Sequence, residues 1–244
     1  MTSNHKDQIY ADTLGDPGLF TFNEAVVGVF PDMINRSVPG YATVIAMTGL
    51  LASRYARPNT RIYDLGCSLG ASLRAVANAG VDPSCQLIGI DNSAAMIEEA
   101  RVTLADLPKE IDISLDLADI ADIDIANASV VIMNYTLQFV PVEQRDTLME
   151  KIRAALQPGD ALILSEKISL SPRVMDHLMI NLHHDFKRAQ GYSDLEIAAK
   201  RQSLENVLIP ETREKHRQRL LDAGFSHCDC WFQCFNFVSF IAIA

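Results

Sequence analysis

Asp64-Leu65-Gly66-Cys67-Ser68-Leu69-Gly70 lies between the apolar run Ile62-Tyr63-Asp64-Leu65 and a helical pattern from Ala71 to Ala79. In a strand-to-helix turn of this kind, the two glycines let the backbone pass close beneath a ligand. Asp91 closes the next apolar run, Gln86-Leu87-Ile88-Gly89-Ile90-Asp91, 21 residues after Gly70. An acid at that place can accept hydrogen bonds from both hydroxyls of a ribose. By the same geometry Asp119 and Ile120, after a third strand, are expected to flank an adenine. Asn134, after a fourth, is expected to face the part of the ligand nearest the loop. Four strand ends thus converge on one nucleoside-bearing ligand.

Outward from the loop, short apolar runs alternate with helical patterns, the signature of an α/β fold with a parallel sheet under crossover helices. Ser129-Val130-Val131-Ile132-Met133-Asn134 and Ala161-Leu162-Ile163-Leu164-Ser165-Glu166 read as two more buried parallel strands. Ile111, Ile113, Leu115 and Leu117 alternate with Asp112, Ser114 and Asp116, which suits an edge strand beside the second. Helices are predicted over Ser93 to Asp106, capped by Asn92 or Ser93, and over Val142 to Leu156 behind Pro141. Gly80, Pro108 and Pro158-Gly159 act as stops. An insertion from about 167 to 210, rich in Arg, Lys, His and Tyr, precedes a helix from Glu211 to Ala223 with Gly224 as its cap. Cys228 to Gln233 and Phe235 to Ile243 are close enough for a hairpin. Residues 1–60 do not join the strand pattern, and Arg36-Ser37-Val38-Pro39-Gly40-Tyr41 reads as an ordered loop. The expected organisation is a lid over 1–60 and a ligand-binding domain over 61–244, with a helical insertion as a second lid.

Composition narrows the function classes. A chain of 244 residues, 48% hydrophobic and 21% charged, can bury a full core in one domain. The net charge of −10 argues against a broad footprint on nucleic acid. No apolar run approaches the roughly 18 residues of a membrane helix, and the polar start Thr2-Ser3-Asn4-His5-Lys6-Asp7 lacks a signal-peptide core, so a cytoplasmic location is expected. Five cysteines form an odd set with no disulfide-framework spacing, as in reduced cytosolic enzymes.

Two rival readings of the loop are weaker. Gly66-Cys67-Ser68-Leu69-Gly70 is formally G-x-S-x-G, the nucleophile elbow of the α/β-hydrolases, with His227 downstream. An elbow follows several strands, however, and no upstream His-Gly oxyanion motif is present. A nicotinamide dehydrogenase carries G-x-G-x-x-G, whereas these glycines are four apart behind an aspartate. Glycines that only ease helix-on-strand packing would not come with acids and an amide at three further strand ends.

Asp-x-Gly-x-x-x-Gly, the acid ending the next strand, Leu156-Gln157-Pro158-Gly159 before the fifth strand and the terminal hairpin together resemble the class I S-adenosylmethionine-dependent methyltransferase fold. That resemblance implies a Rossmann-like, seven-stranded, mostly parallel sheet. Ser68 departs from it, since many members have a second glycine there. Three further segments narrow the likeness: Arg36 to Tyr41, Asn181-Leu182-His183-His184-Asp185-Phe186-Lys187, and Ala199-Lys200-Arg201-Gln202-Ser203-Leu204-Glu205-Asn206-Val207-Leu208. With Trp231-Phe232-Gln233-Cys234-Phe235-Asn236-Phe237 they resemble the carboxy-S-adenosyl-L-methionine synthase family over nearly the whole chain.

The resemblance implies conversion of S-adenosylmethionine and prephenate to carboxy-S-adenosylmethionine and phenylpyruvate. The product would feed carboxymethylation of a wobble uridine in tRNA by a separate enzyme, with no direct nucleic-acid binding by this chain. It implies a homodimer and no metal, with S-adenosylmethionine bound as a substrate. Ligand contacts carried over fall on Tyr41, Gly66, Cys67, Ser68, Asp91, Asn92, Asp119, Ile120 and Asn134, with Arg201 as the carboxylate-binding arginine. A sulfonium acidifies its methyl group, so an ylide can capture carbon dioxide, and an arginine fork suits the carboxylate so formed. An ordinary methyltransferase, acting on a small acid or on RNA, or a non-catalytic cofactor-binding subunit would share the fold and differ in the lids.

Other features have plainer readings. Glu205 stands four residues beyond Arg201, a ready surface partner. Tyr41 would serve equally as a packing aromatic. His183 and His184 point in different directions on a helix and lack a spaced third ligand. Cys228, Cys230 and Cys234 lack the second pair of a zinc site and suit strand packing. Cys67, near a helix N-terminus, is a candidate reactive thiol whose backbone amide is expected to matter more than its sulfur.

Overall fold

The computed structural model describes residues 6–11 and 15–244, so that Thr2 to His5 of the polar start lie outside the described residues. Three helices precede the sheet: α1 (Glu24–Val27), α2 (Phe30–Ser37) and α3 (Tyr41–Tyr55). The expected loop from Arg36 to Tyr41 is instead the junction of two helices. Pro31 starts α2 well, since a first-turn residue needs no amide. Gly40, at φ 79°, turns the chain into α3.

The alternation then unfolds as read: β1 (Arg61–Leu65), α4 (Ala71–Asn78), β2 (Gln86–Asp91), α5 (Ala94–Leu104), β3 (Asp112–Leu117), β4 (Ala128–Asn134), α6 (Val142–Ala155) and β5 (Leu156–Ser169). Ser93 caps α5 through its side chain. The insertion folds as α7 (Arg173–Ala189) and α8 (Asp194–Ser203), the latter opened by a capping box of Ser193 and Glu196. After β6 (Glu211–Thr212) and α9 (Arg213–Asp222), β7 (His227–Cys234) and β8 (Phe237–Ile243) form the antiparallel hairpin. The strand order is β3-β2-β1-β4-β5-β8-β7, with the first five parallel and β8 antiparallel to β5.

Seven strands on that path match the expected count, but the sheet has eight. β5 runs past the sheet, and its last residues, Ile168 and Ser169, pair in parallel with Glu211 and Thr212. The helix expected from Glu211 starts two residues later because Thr212 is its cap, accepting from the Lys215 amide. Pro158 and Gly159 end the helical path at Ala155, then sit inside β5 as an irregularity opposite β4.

The sheet is buried on both faces, and alternate residues serve each side. Val131, Met133 and Leu162 face Met149 and Ile152 of α6, while Val130, Ile132 and Ile163 join Leu73 and Val76 of α4. Each such aliphatic side chain contributes about 1.5–3 kcal/mol relative to exposure. Helix α3 packs beside α4 on the same face of the sheet, over β4 and β5, so close at Gly49 that a Cβ there would lie 2.5 Å from the Ala75 carbonyl oxygen. A buried polar cluster fastens the returning chain to α6. Arg145 pairs with Glu211 at 2.6 Å, and Arg219 pairs with both Glu211 and Asp146.

The N-terminal segment and the insertion interlock above the carboxyl ends of the strands. Arg36 donates to the carbonyls of Gln190 and Asp7, pairs with Asp32 at 3.0 Å and lies 3.9 Å over the Tyr192 ring. Tyr192 donates to Asp7, Tyr10 donates to Ser203 Oγ, and the Phe20 amide donates to the Ser203 carbonyl. The two covering segments are therefore one cap rather than two separate pieces.

Candidate functional site

The loop after β1 is shaped by three alternate residues at positive φ, Gly66, Ser68 and Gly70. Gly66 has φ 80°, and a Cβ there would collide with the Thr136 side chain. Gly70 has φ 79°, with Leu104 Cδ1 2.7 Å from any added Cβ. Ser68 takes φ 49°, the conformation the more usual glycine would adopt freely, so the loop keeps its path despite the serine. The Gly66 and Cys67 amides both donate to the Ile90 carbonyl, at 2.8 and 2.9 Å. The Ser68 amide donates to Asp91 Oδ2, and the Gly70 amide to the Cys67 carbonyl. The Cys67 amide, expected to serve the ligand, is held by the β2 backbone in this structure. With these four amides engaged, the loop is no cradle for a pyrophosphate, which needs free N–H groups.

The Cys67 thiol is not reactive either. It packs among Ile62, Leu73 and Leu87, and burial, followed by Asp64 and Asp91, pushes its pKa far up. Beneath the loop, Asp64 is 1% exposed, and its Oδ2 has no partner. Burial, then Asp91, raises its carboxyl to about 8. The hydrolase reading fails on geometry. Ser68 Oγ touches Met96 Sδ at 3.4 Å, whereas exposed His227, on β7 at the far edge of the sheet, bonds Ser226 just before that strand.

Asp91 accepts from the Ser68 amide on one oxygen and from the Ser93 amide on the other, both at 2.9 Å. Each oxygen keeps lone-pair capacity for a ligand hydroxyl. Asp119 Oδ1 accepts from the Ala121 amide, which fixes the turn after β3. Asn134 is locked by three hydroxyls: its amide donates to Thr48 and Ser72, and its carbonyl accepts from Ser165 Oγ at 2.7 Å. Tyr41 opens α3, its ring 6.1 Å from that of Tyr135. Burial, then Asp64, raises its phenol well above the usual range, so it stays protonated.

Tyr41, Gly66, Cys67, Ser68, Asp91, Asn92, Asp119, Ile120 and Asn134 all line one cavity of about 1250 Å³. Drug-sized ligands occupy pockets of roughly 300–1,000 Å³, so this one has room for an adenosyl ligand and a second small molecule. Arg201 is not among the lining residues. It is exposed, and α8 ends at Ser203, so the expected helical pair with Glu205 does not form among the described ion pairs. Its charge is still felt at Lys167 and His184, whose proton affinities it lowers, so it stands near the rim.

Three lysines, not singled out by the sequence, line the cavity from β5, α7 and α8: Lys167, Lys187 and Lys200. Burial, then Lys200 and Lys167, lowers Lys187 to about 7, with Asp7 opposing. Burial lowers Lys200 to about 8. His183, one turn before Lys187, bonds the Ser37 carbonyl at 2.7 Å and is held neutral chiefly by burial. It is thus a satisfied core histidine, and no group of three His, Cys, Asp or Glu among the described residues is placed to hold a metal. Spacing offered one hint of the lysine wall, the four residues from His183 to Lys187. Nothing in the sequence separates buried lysines from solvated ones.

Comparison with known proteins fits this geometry. Residues 62–159 match the family model described as a methyltransferase domain. Human N-acetylserotonin methyltransferase, solved in complex with SAM, aligns with a TM-score of 0.60 at 15% identity, covering 90% of this chain and 55% of that one. The magnesium protoporphyrin IX methyltransferase of Synechocystis PCC 6803, with bound SAM, gives 0.57 at 18%, covering 97% and 88%. These likenesses establish the Rossmann-like class I methyltransferase fold. The carboxy-S-adenosyl-L-methionine synthase of Hahella chejuensis is 52% identical over 99% of both chains, and that of Trichlorobacter lovleyi is 55% identical over 97% of this chain and 98% of its own. The chain belongs to the carboxy-S-adenosyl-L-methionine synthase family. Its match to synthases runs through α1, α2, α7 and α8 as well as the sheet, so the cap belongs to the shared family pattern. The solved methyltransferases share the fold alone.

Proposed function

We propose that this protein converts S-adenosylmethionine and prephenate into carboxy-S-adenosylmethionine, phenylpyruvate and water. The observation that carries the reading is a cation-bearing wall facing the nucleoside-binding strand ends, in a chain of the synthase family. Asp91 would receive the ribose hydroxyls, Asp119 and Ile120 the adenine, and Tyr41 and the loop the sulfonium region. Loop amides already engaged within the fold favour a ligand that is cationic there over a phosphate. Asp64, with an unpartnered oxygen below, adds favourable negative potential whenever it is ionised.

In the reaction prephenate loses carbon dioxide and its ring hydroxyl. The sulfonium methyl loses a proton, the resulting carbanion bonds the carbon dioxide carbon, and proton and hydroxyl leave as water. The protein's tasks are to align the two molecules and keep bulk water out. The interlocked cap supports the second task. Arg201, at the rim beside Lys167, would steady the new carboxylate. The product would pass to a separate tRNA carboxymethyltransferase, and the net charge of −10 fits a chain that does not itself bind tRNA. No helix among the described residues is long and apolar enough to cross a membrane, in keeping with a cytoplasmic enzyme. Exposed Val174, Met175 and Leu178 on α7 support a homodimer.

The deciding experiment is mass spectrometry of small molecules released by heating freshly purified protein, followed by incubation with both substrates. A species heavier than S-adenosylmethionine by one carbon dioxide, and phenylpyruvate formed with prephenate, are expected. S-adenosylhomocysteine alone, with no phenylpyruvate, would instead indicate an ordinary methyltransferase.

A further inference from the structure

The cavity contains more positive charge than a sulfonium ligand calls for. An S-adenosylmethionine site gains nothing from ammonium groups close by, because the sulfonium is itself a cation. Yet Lys167, Lys187 and Lys200 all face the same space as the strand ends. Burying three ammonium groups in mutual proximity is unfavourable unless an anion joins them.

The three are not equivalent. Lys200 already has company: its Nζ donates to Ser37 Oγ at 3.1 Å and stands 4.0 Å from Asp7 Oδ2. Lys187 is 7% exposed and, like Lys167, makes no hydrogen bond or ion pair through its ammonium among the described residues. Backbone links fix both positions. The Lys167 amide donates to Oε1 of Gln138, within the 3₁₀ turn at Leu137–Phe139, and Lys187 sits one helical turn beyond His183, whose ring is tied to Ser37. Two unpaired ammonium groups therefore face the cavity from two different elements, β5 and α7.

We infer that Lys167 and Lys187 form the binding site for the two carboxylates of a dicarboxylate donor, one ammonium to each. The assignment rests on the synthase reading above and deepens it, since prephenate is a dianion. Charge count and burial support it together. Two ammonium groups without a partner meet two anionic groups, whose negative charge opposes the loss of proton affinity that burial imposes on Lys187, while Lys200 already has Asp7 4.0 Å away. Arg201, outside the lining, is left for the carboxylate that ends on the sulfonium ligand. Desolvated lysines make strong partners here, because each charge-assisted hydrogen bond to a carboxylate replaces little water.

The test uses the whole protein loaded with S-adenosylhomocysteine, which cannot react, titrated calorimetrically with prephenate. Lys187→Met and Lys167→Met should each weaken prephenate binding at least about tenfold, the equivalent of roughly 1.4 kcal/mol. Their affinity for S-adenosylhomocysteine should stay within about twofold of the parent, which also certifies the fold. Lys187→Arg should restore most of the lost affinity, as a packing role would not. With both substrates present, KM for prephenate should rise in the methionine variants. Prephenate binding that is equal in parent and variants, or absent from the parent, overturns the assignment. If the parent binds prephenate through the lysines but releases no phenylpyruvate, the dicarboxylate site stands and the synthase reading falls.

Discussion

The Ser68 amide donates to Asp91 Oδ2 at 2.9 Å while Ser68 itself holds φ 49°. The loop and the end of β2 are thus joined at the non-glycine residue of the loop that holds a left-handed backbone. A left-handed conformation is unfavourable by roughly 1–2 kcal/mol for residues with a Cβ. Glycine relieves that strain and keeps the amide. Ser68→Gly is expected to raise Tm by about 2–3 °C, reflecting a net gain near 1 kcal/mol, with S-adenosylmethionine affinity retained. Ser68→Val, which adds branching at the same φ, should lower Tm. A calorimetric melt in which both variants behave alike would refute the strain assignment.

Asp64 governs a pH dependence of stability. Its folded-state carboxyl titrates near 8, raised by burial and then by Asp91, against an ordinary value of 3.8. A raised acid favours the folded state most while it is protonated in both states. Its contribution is therefore fully present below about 3.8 and is lost as pH rises toward 8. Asp64→Asn cannot ionise. The Tm of Asp64→Asn minus that of the parent, both ligand-free, should climb between pH 4 and 8 and then level off. A difference that is flat across this window would show that Asp64 is ionised in the folded chain.

Arg36 offers a test of the cap. It binds Asp7, Asp32, Gln190 and the Tyr192 face at once, so Arg36→Met removes several buried bonds. Breaking such a group typically costs about 3 kcal/mol. Amide hydrogen exchange in Phe20 and α8 should accelerate at least about tenfold, while β4 exchanges as in the parent. Equal acceleration in β4 would mean that cap and sheet open together.

Strand identities, the edge position of β3 and the terminal hairpin were legible because a parallel sheet leaves period-two and continuous apolar runs, and Asp112 beside Ile113 announces a half-wet strand. The nucleoside side of the site was legible for the same reason, since Asp91, Asp119 and Asn134 are fixed by their places at strand ends. What remained hidden depends on long-range pairing. Glu211 and Thr212 become a strand only because β5 extends to meet them. Lys187 and Lys200 stood inside segments that the sequence did single out. The surroundings of Lys200, however, include Asp7 and Ser37, which reach it from distant parts of the chain. Arg201 illustrates the converse, a neighbour of Lys200 in the same segment that the packing leaves exposed.

The close approach of Gly49 to Ala75 welds α3 to α4. Both helices begin at the cavity, one with Tyr41 and the other just past Gly70. The nucleoside half of the chamber is therefore a single stiff jaw, built on backbone contact and needing no ligand to assemble it. The opposite jaw, carrying Lys187 and Lys200, is latched to the N-terminal segment by side chains such as Arg36 and Tyr192. Traffic through the chamber turns on unfastening those few latches, and the sheet can stay still while molecules are exchanged.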